Sequence, residues 1–192
     1  KFQSFAGISA NPSEAIQWFQ KAAEGGDAMA QCLLAECFEN GTGVKKNERE
    51  ALRWLRQAAD QGQARALRDL GWKLVNGDGI SKDVSAGADF LRKSADQGDA
   101  GAQTLLGLCY ERGDGVPPNA AQAVAWYRKA ADQGEVHAQI NLANCLQDGR
   151  GVSADPTGAA SWFRKAAEQE HPAAQNLLGV CLFNGDGIPA NK

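Results

Sequence analysis

The chain has 192 residues, with 20 Lys or Arg and 23 Asp or Glu, which gives a formal charge of −3 at pH 7. This slight acidic excess argues against a nucleic-acid-binding protein, because such proteins present a basic surface. No apolar run approaches the roughly 20 residues that a membrane-spanning helix needs, so we expect no insertion into a membrane.

A spacing of 36 residues runs through the whole sequence. Gly-x-Gly pairs recur at Gly41/Gly43, Gly77/Gly79, Gly113/Gly115, Gly149/Gly151 and Gly185/Gly187, and a bulky aromatic residue recurs at Trp18, Trp54, Phe90, Trp126 and Trp162. A period in this range indicates a solenoid, a propeller or an array of repeats. We place full repeats at 27–62, 63–98, 99–134 and 135–170, with partial repeats at 1–26 and 171–192. Because the partial repeats flank the full ones, we expect a fragment of a longer protein.

The first half of each repeat has the pattern of an amphipathic helix. In the repeat 99–134 this helix runs from about Asp99 to Arg112, and its apolar face is formed at helical spacing by Ala102, Leu105, Leu106, Cys109 and Tyr110. Gly107 lies inside the pattern, where glycine weakens a helix. We therefore predict that a neighbouring helix approaches closely at this residue.

A turn and a second helix complete each repeat. Gly113 suits the left-handed conformation that follows a helix C-terminus, and the pairs Asn11-Pro12 and Asp155-Pro156 place an N-cap residue before a proline at the first helical position. The predicted buried stripe of the second helix is Ala123, Trp126, Tyr127, Ala130 and Ala131. Counted over the chain, these patterns predict about ten helices, and each pair must stack on its neighbours to bury its apolar face.

This repeat resembles the Sel-one-like repeat (SLR) family, a relative of the tetratricopeptide repeat. The resemblance is carried by Ala102, Leu106, Gly107, Tyr110, Gly113, Gly115, Val116, Ala123, Trp126, Tyr127, Lys129, Ala130, Ala131 and Gly134. It implies an all-α fold, namely a right-handed α-α superhelix (a solenoid) of antiparallel helix pairs. It also implies an adaptor or scaffold that binds a partner protein or peptide.

The sequence contains no pattern that predicts catalysis. No serine has a lysine three residues later, and there is no P-loop. His137 and His171 each lack a second ligand three or four residues away on the same helix, so we predict no metal site and no cofactor. The alternative to a non-catalytic scaffold is the regulatory or targeting arm of an enzyme whose catalytic part lies outside this segment.

The first helix of each repeat is the predicted partner-binding element, because resemblance to tetratricopeptide-like solenoids implies that it lines the concave groove. Opposite the apolar residues Leu70 and Gly71, the helix presents Arg65, Arg68, Trp72 and Val75. The corresponding candidates in later repeats are Leu108, Glu111, His137, Ile140, Asn144, Asn176 and Phe183. We predict that Arg65, Arg68 and Trp72 dock a peptide with an acidic residue beside an apolar one. Two alternatives stay open, namely that these positions are merely solvated and that Glu36 and Glu39 pair with the arginines. Self-association through exposed repeat ends is a further expectation.

The cysteines predict a chain without disulfides. Packed helices lie about 8–10 Å apart, whereas a disulfide needs Cα atoms within about 7 Å. We expect free thiols at Cys32, Cys37, Cys109, Cys145 and Cys181. Unpaired thiols favour a reducing compartment such as the cytoplasm, although the sequence leaves a secreted or periplasmic location open.

A thiol count on the denatured chain without reductant tests this expectation. It should give five thiols per chain. A count of one would establish two disulfides and would remove the argument for a reducing compartment.

Overall fold

A computed structural model describes residues 11–187, and all regular structure in this range is helical. The ten helices are α1 (Pro12–Glu24), α2 (Ala28–Asn40), α3 (Glu48–Asp60), α4 (Ala64–Asn76), α5 (Val84–Asp96), α6 (Ala100–Arg112), α7 (Ala120–Asp132), α8 (Val136–Asp148), α9 (Pro156–Glu168) and α10 (Pro172–Asn184). The chain divides into two compact units, an N-terminal unit of residues 1–70 and a C-terminal unit of residues 71–192.

The predicted capping residues begin and end the helices at the expected positions. Asn11 caps α1 by accepting a hydrogen bond from the Glu14 N–H, and Pro12 occupies the first helical position. Asn119 caps α7 in the same way through the Gln122 N–H. The helix α6 ends at Gly113, whose φ of 80° lies in the left-handed region. These local signals explain why the helix boundaries follow the 36-residue period.

Glycine permits the close approach of the two helices of a repeat in the C-terminal unit. A Cβ atom added to Gly107 on α6 would lie 2.5 Å from Cε1 of Tyr127 on α7. Tyr127 is completely buried, together with Leu106, Leu142 and Phe163. The close helix contact predicted at Gly107 is confirmed, and the tyrosine ring is the group that needs the space.

Buried glutamines add a polar link between consecutive helices. Gln103 on α6 donates from Nε2 to the Ala95 carbonyl oxygen and accepts from Gln133 Nε2 at 2.8 Å. The same arrangement recurs with Gln139, Ala131 and Gln169, and in the N-terminal unit with Gln31, Ala23 and Gln61. Each of these carbonyls lies near a helix end and also accepts from the N–H of the glycine three residues later, so the glutamine supplies its second hydrogen bond. This role was not predicted from the sequence, although these glutamines recur at multiples of 36 residues, with Leu67 in place of a glutamine in one repeat.

Trp126 corrects the predicted buried stripe. Its indole is only half-buried, with one side packed against the core that contains Leu91 and Leu106. The Lys129 ammonium lies 3.9 Å from the centre of the ring, and Lys165 stands 3.8 Å from Trp162 in the same way. The tryptophan therefore lies at the border of the core and makes a cation–π contact with Lys129. The next residue, Tyr127, fills the core.

The structure has all five cysteines as free thiols, in agreement with the prediction. Four of them are buried and Cys37 is half-buried. Burial, with a smaller effect of Asp114, raises the pKa of Cys109 to about 11. A thiol with such a pKa is almost entirely protonated near neutral pH, so these groups behave as small core residues.

The two neighbouring aromatic residues on α7 should differ in their contribution to stability. Replacing Tyr127 by Ala empties a fully buried site and should lower the free energy of unfolding by about 3–5 kcal/mol. Trp126→Ala should lower it less, because part of the indole is already in water. Urea denaturation of both variants gives the comparison, and a larger loss for Trp126→Ala would contradict the assignment of Tyr127 to the core.

Candidate partner-binding surface

The first helix of each repeat is called a first-type helix here. Three of them, α6, α8 and α10, lie side by side in the C-terminal unit. At the start of α8, Glu135 accepts a hydrogen bond from Thr104 Oγ1 on α6, with 2.9 Å between the oxygens. The imidazole rings of His137 on α8 and His171, which precedes α10, have centroids 5.3 Å apart. These contacts place the beginning of α8 next to α6 on one side and next to the beginning of α10 on the other.

We call this surface the α6–α8–α10 face. It is defined by Leu108, His137, Ile140, Asn144, Asn176 and Phe183, all of them predicted from the sequence. Leu108, Ile140 and Asn144 are half-buried, while His137 and Asn176 are exposed. Phe183 is 93% exposed. The six residues that define the face thus combine apolar side chains, carboxamides and one imidazole.

Two apolar residues of this face are held in place by the core beneath them. Leu108 and Ile140 pack against the core cluster that contains Tyr127 and Leu142. Their positions are therefore set by the fold, while the rest of each side chain is open to contact. The nearby carboxamides of Asn144 and Asn176 can each donate and accept hydrogen bonds. Such a surface is suited to contact both the side chains and the backbone of a partner.

Glu111, also a predicted groove residue, is engaged within the chain. Its Oε2 accepts a hydrogen bond from the Tyr127 hydroxyl at 2.7 Å, and its Oε1 pairs with Arg150. Arg150 also contacts Asp148, with 3.2 Å between Nε and Oδ2. Burial, followed by the hydrogen bond to Glu111, raises the pKa of the Tyr127 hydroxyl. Glu111 therefore joins α6 to α7 and to the turn after α8.

The prediction that Val75 lines a groove is wrong. Val75 is only 3% exposed, and a Cβ added to Gly87 on α5 would lie 2.7 Å from Val75 Cγ2. The close approach of α5 covers this end of α4. Thr104, which falls on the same predicted face of α6, is also buried, and its hydroxyl oxygen lies 2.9 Å from the Ala100 carbonyl oxygen.

The other three candidates on α4, Trp72, Arg65 and Arg68, all have contacts within the chain. Trp72 is half-buried and packs against the core cluster of the C-terminal unit. In the N-terminal unit, Arg65 donates to Glu36 Oε2 at 2.7 Å. Arg68 donates to Asp69 Oδ1 at 2.9 Å. Pairing of Arg65 with Glu36 was the open alternative, and the structure contains that pair.

The N-terminal unit contains an apolar cleft that the sequence did not predict. It has a volume of about 400 Å³ and lies between α1 and α2, where it is lined by residues such as Ile16, Phe19, Leu33 and Cys37. Clefts of this kind are hard to predict because the lining residues come from two helices. Over residues 11–187, no group of three or more His, Cys, Asp or Glu residues is arranged to hold a metal ion. No helix in the described range is long and apolar enough to cross a membrane.

This architecture defines a protein built from stacked helical repeats. The Sel1 repeat model matches residues 2–27, 28–63, 64–99, 100–135, 136–171 and 172–192, so the chain belongs to the Sel1 repeat family. Proteins of this family are generally scaffolds that bind protein partners and are generally non-catalytic. No curated protein matches the chain.

Solved structures of bacterial proteins share the fold. A Sel1 repeat protein from Oxalobacter formigenes is 35% identical with a TM-score of 0.89, over 96% of this chain and 74% of that one. A protective antigen from uropathogenic Escherichia coli, which displays an SLR fold, is 34% identical with a TM-score of 0.85, over 92% of this chain. This chain covers only 38% of the length of the E. coli protein. Cysteine-rich protein B of Helicobacter pylori is 28% identical with a TM-score of 0.52, over 65% of this chain and 90% of its own.

Removing the Glu111 carboxylate should destabilise the fold. Glu111→Ala leaves the buried Tyr127 hydroxyl without its acceptor, which should lower the free energy of unfolding by about 1–3 kcal/mol. Glu50→Ala is a matched control, because Glu50 pairs with Arg53 at 2.7 Å on the surface of α3. That change should cost less than about 1 kcal/mol. Urea denaturation measures both.

A double-mutant cycle isolates the contact itself. Tyr127→Phe should lower the free energy of unfolding less in the Glu111→Ala background than in the wild-type chain, because the hydroxyl has already lost its partner. Equal effects in the two backgrounds would show that Glu111 and Tyr127 act independently.

Proposed function

We propose that this chain is a non-catalytic interaction scaffold that binds a protein or peptide on its α6–α8–α10 face. The observation that supports the proposal is that α8 lies next to α6 and to the beginning of α10, and that these helices leave apolar and carboxamide side chains exposed or half-buried. In the Sel1 family, to which the chain belongs, partner binding is the general role. The framework beneath the face is held rigid by the packing of α6 to α9.

The chemistry of the face favours an apolar, uncharged segment as the partner. Leu108, Ile140 and Phe183 offer surface for apolar side chains, and each is carried by a helix rather than a loop. An extended peptide also brings unpaired backbone N–H and C=O groups. Asn144 and Asn176 can satisfy both kinds of group, because a carboxamide is a donor and an acceptor.

Binding of an acidic peptide at Arg65, Arg68 and Trp72 stays a prediction. A carboxylate that binds Arg65 has to compete with Glu36, which already lies 2.7 Å from the guanidinium. That competition would reduce the gain from a new ion pair at this exposed position. For this reason we favour the α6–α8–α10 face as the principal binding surface.

The regulatory or targeting arm of an enzyme is the second proposal. It is supported by the length comparison, since this chain covers 38% of the E. coli relative. Such an arm would use the same face to hold its partner. The two proposals differ in what the rest of a longer protein does, and activity measured with and without this segment would separate them.

Substitutions on exposed positions test the proposal without disturbing the core. We expect the double variant Asn176→Ala, Phe183→Ala to weaken binding of a partner captured from the source cells by about 30-fold or more, the effect of removing a hot spot of about 2 kcal/mol. Isothermal titration with the purified partner gives the dissociation constants. Thermal melts should show little change in stability, because both side chains are exposed.

The matched control is Trp18→Ala on α1, which removes an aromatic side chain that is 62% exposed and lies outside the face. It should leave the dissociation constant within about twofold of wild type, as expected for a surface position outside the contact. Loss of binding in the control with retention in the double variant would contradict the proposal. So would a partner that binds both variants as tightly as wild type.

A further inference from the structure

Two histidines from different repeats meet on the surface of the C-terminal unit. His137 lies in the first turn of α8, and His171 immediately precedes α10. Their ring centroids are 5.3 Å apart, with an angle of 84° between the ring planes. The side chain of His137 is exposed, whereas that of His171 is half-buried.

His171 lacks the hydrogen bond that its position makes in other repeats. Asp99 and Glu135 occupy the same position before α6 and α8, and each accepts from the N–H three residues later. His171 makes no such bond. Its Nδ1 atom is buried and has no hydrogen-bond partner. This nitrogen therefore keeps a lone pair or a proton that no group in the described part of the chain satisfies.

A second substitution explains why the partner is missing. Glu135 accepts from the hydroxyl of Thr104 one repeat earlier, at 2.9 Å. The residue 36 positions after Thr104 is Ile140, which has no polar side-chain atom. The polar pair Thr104–Glu135 is thus replaced in the next repeat by Ile140–His171. Burial of an unpaired nitrogen is unfavourable, so a rotation of the half-buried His171 ring that brings this nitrogen to a ligand at the surface would offset the loss.

We propose that His137 and His171 form a bidentate site for a divalent transition-metal ion of the class that prefers imidazole, such as Zn²⁺ or Ni²⁺, with water in the other coordination positions. A zinc ion about 2.0–2.1 Å from one nitrogen of each ring would hold two ring centres about 5 Å apart at a tetrahedral angle. The observed 5.3 Å matches this spacing. Because His137 is exposed, its ring can rotate from the edge-on contact to direct a nitrogen at the ion.

The local electrostatics of the site act in two opposite directions. The starts of α8 and α10 both carry partial positive charge from their helix dipoles, which opposes a bound cation. The Glu135 carboxylate, which accepts from the His137 and Ala138 N–H groups, offsets this charge at the start of α8. The pair could not be found from the sequence by a search for a second ligand on the same helix, because the fold supplies that ligand from the next repeat.

Metal titration of the tag-free chain tests the site, with Ni²⁺ alone and Zn²⁺ alone as probes. Isothermal titration should give one ion per chain. His137→Ala and His171→Asn should each weaken binding by about tenfold or more, because each removes one of the two imidazole ligands. The ion should raise the melting temperature of the wild-type chain and not that of either variant.

The His171→Asn variant controls for loss of folding. Asparagine caps α7 at Asn119 and is a preferred residue before a helix, so the metal-free melting temperature should equal or exceed that of wild type. Gln175→Ala, an exposed change on α10 outside the α6–α8–α10 face, is the control and should leave the affinity within about twofold. Equal binding by the histidine variants and wild type would assign the ion to the thiols and overturn the proposal. Sensitivity to only one histidine, or no binding at millimolar metal, would also overturn it.

Discussion

The contact between Gly107 and Tyr127 is the constraint on which the C-terminal unit depends most. The missing side chain at Gly107 lets α6 and α7 approach until the tyrosine ring lies against the backbone. The ring then fills the core, and its hydroxyl must find a partner at the edge of that core. Glu111 is the partner, and its second oxygen holds Arg150 in the turn after α8. The absence of one side chain thus leads to a hydrogen-bonded link across three helices.

Local features of the sequence could be predicted because their causes are local. An asparagine or aspartate before a helix and a glycine after it act within four or five residues, so the starts at Asn11 and Asn119 and the end at Gly113 followed directly. The close approach at Gly107 was also predictable, because glycine weakens a helix interior and its small size is useful there only when a neighbour needs the space. None of these predictions required knowledge of a distant residue.

The errors arose where burial depends on a neighbouring helix. Val75 occupies a position on α4 that the helical period assigns to the outer face, yet α5 approaches closely at Gly87 and covers it. Trp126 has the size of a core residue, yet its place at the border of the core leaves one face for Lys129. A period of 3.6 residues gives the direction of a side chain from its own helix. It cannot give the distance to the next helix on that side.

The same distinction, between what a helix determines locally and what depends on a distant residue, applies to the candidate face. Its residues could be selected by frame, because surface positions of the first-type helices recur every 36 residues. Their partners could not, since Arg65 pairs with Glu36 and Glu111 pairs with Arg150 across 29 and 39 residues. The signal that could have revealed the Gln103–Gln133 link was the recurrence of glutamine itself, which a strictly apolar search for the core leaves out.

A repeat architecture allows one such link to change without disturbing the others. Because each repeat contacts mainly its neighbours, the exchange of Thr104–Glu135 for Ile140–His171 alters only the contact between α8 and α10. The apolar Ile140 keeps its packing against the core cluster around Leu142, while the residue at the cap position changes from a carboxylate to an imidazole. The second histidine, His137, packs edge-on against that imidazole. The framework residues thus maintain the stack, and paired changes at the starts of the first-type helices can give a single repeat its own chemistry.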